Sequence, residues 1–226
     1  MINIKDLCFS YTGKEPYILN NINLNIPKGT FVSVIGPNGS SKTTLVKLML
    51  NQLSPTKGSI KLSTNKIGYV PQKVDSFNSQ FAITVKEVLS CHANALKISD
   101  KASINKALEK VNMLKYSNKL IGALSGGQQQ KIFISRALMG EPELLFLDEL
   151  STGVDHLSQK EIYELIRKLN QEHNITVISV EHNLRMAVEY STHILELYEG
   201  SATLYNVNEY KKIINDSKIY LDRKVE

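Results

Sequence analysis

The stretch FVSVIGPNGSSKTTLVKLML, Phe31–Leu50, runs from an apolar segment through the turn GPNGSSKTT, Gly36–Thr44, into a helix-like segment. Strand, glycine-bearing turn and helix in that order bring successive backbone N–H groups and a helix N-terminus onto one point. They predict a phosphate-binding loop made of Gly36, Pro37, Asn38, Gly39, Ser40, Ser41, Lys42, Thr43 and Thr44. Lys42 adds a full charge in the first helical turn, where it opposes the helix dipole by about 0.3–1 kcal/mol unless an anion is present. Thr43 follows with a hydroxyl suited to Mg²⁺. Taken alone, the segment also fits an ordinary polar turn between strand and helix.

One position departs from the pattern GxxxxGK[ST]: Ser41 stands where its second glycine belongs. If that position needs a left-handed backbone, serine costs about 1–2 kcal/mol there, which is roughly tenfold in nucleotide affinity. Glycine at 41 is therefore expected to lower the apparent KM for the nucleotide.

The chain has 226 residues, 42% hydrophobic and 22% charged, enough for one large domain or two small ones. A net charge of +5 and a pI near 9.0 permit an anionic partner. The lysines are spread along the chain, denser at Lys211, Lys212, Lys218, Arg223 and Lys224, and lack the aromatic interleaving of a base-stacking platform. A nucleic-acid partner is not expected. Cys8 and Cys91 lie far apart without metal or redox spacing, which fits reduced thiols in the cytoplasm. No leader-like or spanning apolar run is seen, so a membrane role would come through a partner.

Alternation at Ile2 and Ile4, and at Ile22, Leu24 and Ile26, predicts half-buried antiparallel strands. Phe31–Ile35 reads as the strand feeding the loop, with shorter strands at Ser59–Leu62 and Lys66–Val70. From Thr84 to about Arg136 the pattern turns helical, a helical insert. Strands return at Leu144–Leu147 and Thr176–Val180, separated by the amphipathic KEIYELIRKLNQ, and this alternation predicts an α/β fold with a parallel sheet.

LLFLDE, Leu144–Glu149, is an apolar run that ends in two acids, as at a buried strand opening onto a ligand crevice. A carboxylate at the edge of a core is costly unless paired or metal-bound, so Asp148 is well placed to hold Mg²⁺ directly or through water. Glu149 would orient and polarise the attacking water. The acids would equally suit the first turn of a helix. LSGGQ, Leu124–Gln128, precedes another helix-like stretch and reads either as a second anion nest or as a plain serine cap.

GPNGSSKTT, YVPQ (Tyr69–Gln72), LSGGQ, LLFLDE, STGVD (Ser151–Asp155) and VEH (Val180–His182) resemble, in order, the motif set of ATP-binding cassette ATPases over nearly the whole chain. The resemblance implies a P-loop NTPase of the ABC nucleotide-binding type: one domain, 1–226, with an antiparallel β subdomain, an ATPase core at 1–72 and 140–226 and a helical subdomain at 73–139. It implies ATP and Mg²⁺ as cofactors, with Glu149, His182, Lys42 and Gln72 catalytic and Thr43, Gln72 and Asp148 at the metal. Tyr11 matches the adenine-stacking aromatic, or is a surface or strand tyrosine. Ser125, Gly126, Gly127 and Gln128 would reach the ATP of a second copy, with Asp155 at that interface. Leu150 replaces a common proline, which should loosen the loop after Glu149, and Lys131 replaces a common arginine.

The resemblance further implies a subunit on the cytoplasmic face of a membrane, working with a transmembrane permease and, indirectly, an extracytoplasmic solute-binding protein. KIGYVPQK, FAITVKEVL and LSGGQQQKIFISRALMGEPELLFLDE are most similar to the subgroup serving zinc, manganese or iron uptake. The histidines and cysteines show no clustering that would hold such a metal in this chain. The rival readings are a cassette ATPase outside transport, which would carry tandem motifs or a long coiled-coil insert, and a nucleotide-dependent interaction module weakened by Ser41.

Overall fold

The computed structural model describes residues 1–72, 82–100, 102–150 and 154–216. The start of the helical insert at 73–81, Ser151–Gly153 and the basic positions Lys218, Arg223 and Lys224 lie outside the described residues.

β1 (Ile2–Phe9), β2 (Leu19–Ile26) and β4 (Lys57–Leu62) form one antiparallel sheet in the order β2-β1-β4. Their apolar residues alternate, and Ile4 opposite Leu24 and Ile2 opposite Ile26 turn the same face inward. The second sheet contains β3 (Phe31–Ile35), β5 (Ile67–Val70), β6 (Leu144–Asp148), β7 (Thr176–Val180), β8 (His193–Tyr198) and β9 (Ser201–Asn206) in the order β5-β6-β7-β3-β8-β9. It is parallel from β5 to β8, and β9 returns antiparallel.

β3, β6 and β7 are buried along their whole length, which explains their unbroken apolar runs. Val32, Phe146 and Ile178 face the first sheet and α1 (Lys42–Met49). Phe31, Leu145 and Val177 face the other side, where α2 (Val85–Ala95), α3 (Ser103–Lys110), α4 (Gly126–Leu138) and α5 (His156–His173) pack. The carboxyl ends of β3, β6 and β7 consequently open at one edge.

The antiparallel and parallel sheets and the helical insert all match the sequence reading. Boundaries differ slightly: β4 begins at Lys57, β5 at Ile67, and KEIYELIRKLNQ is the interior of the longer α5. No helix or strand beyond Val180 was anticipated, yet α6 (Leu184–Tyr190), the β8-β9 hairpin and α7 (Val207–Asp216) follow. The hairpin turns on Glu199 and Gly200, both at positive φ (47° and 77°), a two-residue turn of the primed type. The dipeptide Glu-Gly was its only local signal, and α6 is too short to show a period.

Candidate functional site

The loop after β3 is held by its own backbone. Ser40 N–H donates to Pro37 O at 3.2 Å and Leu45 N–H to Ser41 O at 2.9 Å. A Cβ on Gly36 would lie 2.3 Å from the carbonyl oxygen of Leu197, so β8 demands glycine there. Gly39 needs it for a different reason, its φ of 80°. Ser41 is the N-cap of α1 and sits at φ 68°, ψ 25°, the left-handed conformation the sequence had made conditional. Its hydroxyl caps nothing, and only glycine adopts that geometry without cost.

Lys42 is buried, and its ammonium donates to Gly36 O at 2.8 Å and Pro37 O at 3.0 Å, drawing the charge onto the rim of the loop. Burial lowers its pKa, opposed by the negative charge of Glu149 nearby. Ser40 Oγ is buried with no hydrogen-bond partner among the described residues. An orphaned hydroxyl in the loop is suited to an incoming phosphate oxygen. The hydroxyl of Tyr11 lies 3.0 Å from Thr44 Oγ1, and its ring meets Phe9 edge-on at 5.0 Å, leaving a face open beside the loop.

β6 carries Asp148 to the same edge. Its carboxyl is buried and its Oδ1 has no partner among the described residues, while Tyr69 of β5 hydrogen-bonds to the group. Burial raises the Asp148 pKa, and Glu149 adds to the rise, against Lys47, His182 and Tyr69. Glu149 follows at φ 51°, a left-handed turn that swings its carboxylate off the strand line. Gln72 Nε2 donates to its Oε2, and His182 Nε2 lies 2.8 Å from its Oε1. Residues just past the ends of β5 and β7 thus meet on the carboxylate that follows β6. Leu150 is buried in the core, and the loop after it, Ser151–Gly153, lies outside the described residues.

LSGGQ opens α4. Ser125 accepts from Gln128 N–H, and the Gln128 side chain returns to Ser125 N–H and donates to Tyr116 Oη, a closed capping box. Ser125 thus caps α4 within this chain. At Gly127 a Cβ would stand 2.6 Å from Ser158 Cβ, so that glycine serves the approach of α4 to α5. Lys131 pairs with Glu161 of α5 at 2.6 Å, a single contact that needs no guanidinium fork. Asp155 caps α5 by accepting from Ser158 N–H at 3.0 Å.

The sequence reading gave no role to Tyr69, which touches Asp148, or to Glu181, which lies 1% exposed between Tyr163 and Ser179. An acid at the end of the apolar run TVISV was the available signal for Glu181. Among the described residues no group of three or more His, Cys, Asp and Glu could hold a metal ion, and no helix is long and apolar enough to cross a membrane.

A family model described as ABC transporter matches residues 19–152. The chain is 45% identical over 207 residues to a Treponema pallidum protein named "Probable metal transport system ATP-binding protein", covering 92% of this chain and 87% of that one. It is 39% identical over 231 residues to the zinc uptake system ATP-binding protein ZurA of Listeria monocytogenes, covering 93% and 88%. Among solved structures it resembles the dimeric post-hydrolysis cassette MJ0796 bound to ADP and Pi, with a TM-score of 0.74 at 27% identity over 92% of this chain and 99% of that one.

Proposed function

The chain belongs to the ABC transporter family, and from that premise we propose which residues run its ATPase site and what the transporter moves. It is the ATP-binding subunit of such a transporter and an ATP hydrolase on the cassette fold. One observation carries the residue roles: the phosphate loop, the unpartnered Asp148 Oδ1 and a Glu149 carboxylate touched by Gln72 and His182 share one sheet edge.

The Gly36–Thr44 amides, the Ser40 hydroxyl and the Lys42 ammonium grip the phosphates, and Tyr11 offers a ring to the adenine. The donor set suits Mg²⁺, since a buried carboxylate oxygen without a partner among the described residues is a hard ligand, and the Thr43 hydroxyl and Gln72 side chain are the further oxygen donors assigned to it. When bound, Mg²⁺ supplies charge neutralisation on the phosphoryl oxygens. Glu149 polarises the attacking water, and Gln72 at Oε2 and His182 at Oε1 help fix the direction of its carboxylate. Ser125, Gly126, Gly127 and Gln128 present the α4 N-terminus to the ATP of a second copy, which would make dimer closure a consequence of ATP binding.

The domain reads as an ATPase core at 1–72 and 140–226 with a helical subdomain at 73–139, docked on the cytoplasmic face of a membrane against a permease. The relatives named for metal and zinc uptake favour a divalent metal as cargo, delivered by an extracytoplasmic binding protein. ATP turnover of the purified subunit with Mg²⁺, beside its Glu149→Gln variant, tests the site. Turnover lost in the variant upholds it; no turnover in the wild type overturns it. Zinc-dependent stimulation of ATPase in vesicles holding the permease tests the cargo, and stimulation by none of zinc, manganese or iron contradicts it.

A further inference from the structure

We propose that Glu181 is a positioning residue for His182: its buried carboxyl, held by Tyr163 of α5 and Ser179 of β7, locks the end of β7 onto α5 and sets where the histidine stands. The inference rests on the role given to His182 above.

Three elements hold Glu181. Its N–H donates to Val34 O of β3 at 2.9 Å, Ser179 Oγ donates to its Oε1, and Tyr163 Oη donates to its Oε2. Tyr163 is itself 1% exposed and stacks on Tyr190 of α6, centroids 5.3 Å apart, with the Arg167 guanidinium 5.3 Å from the Tyr190 ring centre. On the far side of His182, Asn183 accepts from Met186 N–H at 3.2 Å and starts α6. His182 is thus the single residue between a clamped carboxyl and a helix cap, and its Nε2 lies 2.8 Å from Glu149 Oε1.

A buried carboxyl is an expensive way to hold a strand end, since an apolar side chain would fill the space without desolvating a charge. Burial pushes Glu181 up to about 7, with the two hydroxyls pulling the other way and Glu149 adding to the rise. What the carboxyl supplies that an aliphatic group does not is direction. Two hydrogen bonds to opposed oxygens fix both the tilt and the depth of the residue beside His182. Because Ser179 and Tyr163 carry hydroxyls, which donate or accept, a glutamine amide satisfies both and leucine neither.

The test compares kcat, KM for ATP and melting temperature for wild type, Tyr163→Phe, Glu181→Gln, Glu181→Leu and His182→Ala. Small displacements of a reacting group are costly, so Tyr163→Phe and Glu181→Leu should each lower kcat by roughly five- to twentyfold with KM within about twofold. Glu181→Gln should restore kcat to within about threefold of wild type, because it rebuilds both hydrogen bonds. Wild-type kcat in Tyr163→Phe, whatever its melting temperature, overturns the proposal. So does a Glu181→Gln enzyme as slow as Glu181→Leu; if the leucine variant fails to fold, Tyr163→Phe and Glu181→Gln decide. Loss of kcat in His182→Ala with none in Tyr163→Phe sinks this inference alone. Wild-type kcat in His182→Ala removes the histidine's role, and this one with it.

Discussion

Replacing Ser41 by glycine should make the protein more stable. Ser41 holds φ 68° at the N-cap of α1, and its side chain makes no capping hydrogen bond that the change would forfeit. A left-handed L-residue costs about 1–2 kcal/mol relative to glycine. Glycine gives back about 0.5–1 kcal/mol through the greater freedom of its unfolded chain. The balance is a gain of about 0.5–1 kcal/mol, which for a chain of this length raises Tm by about 1–4 °C. The left-handed turn belongs to the loop's own hydrogen-bonded shape, through Leu45 N–H to Ser41 O and the Lys42 contacts, so most of the cost falls on folding. The tenfold weakening of nucleotide affinity expected from the sequence accordingly shrinks, and the KM for ATP should fall by no more than about threefold. Ser41→Ala is the control, because it keeps the Cβ and the strain. Differential scanning calorimetry and urea unfolding of the three proteins read the effect. A glycine variant melting at or below wild type, or an alanine variant that gains as much, refutes the reasoning.

Gly127→Ala places a Cβ 2.6 Å from Ser158 Cβ and should lower stability by about 1–3 kcal/mol, visible as a Tm drop, whereas Gly140→Ala, facing Leu96 Cδ1 at 3.6 Å, should change little. Glu181, whose carboxyl is raised to about 7 from 4.5, binds more protons folded than unfolded. Its stabilising effect is whole below pH 4.5 and is lost as the pH climbs to about 7, and by urea unfolding the wild type should lose about 3 kcal/mol relative to Glu181→Gln across that window. Asp148→Asn should raise the Mg²⁺ concentration for half-maximal turnover by at least about tenfold, measured by phosphate release. Glu149→Gln should retain ATP binding while turnover falls by at least about a hundredfold.

The buried strands were legible because both of their faces are covered, which leaves a plain apolar run at β3, β6 and β7. The phosphate loop was legible because its glycines are fixed by the backbone, at Gly39 by its own conformation and at Gly36 by the approach of β8. The last part of the chain was not. α6 spans under two turns, and the β8-β9 hairpin announces itself only by Glu199-Gly200. Within the site, the placement of Asp148, Glu149 and His182 at one sheet edge was readable from strand ends, but the shared contact on Glu149 was not, since it joins residues 77 and 33 positions apart. Gly127 shows the converse difficulty: it reads as a phosphate-nest glycine, and its missing Cβ is also required by helix packing against Ser158.

Isothermal titration of MgATP into the purified chain, beside Lys42→Ala, tests most directly whether the Gly36–Thr44 loop is a triphosphate site. Saturable heat in the wild type that weakens by at least about tenfold in the variant is the expected result. Absence of binding heat at millimolar MgATP, or equal affinity in the two proteins, would contradict the account.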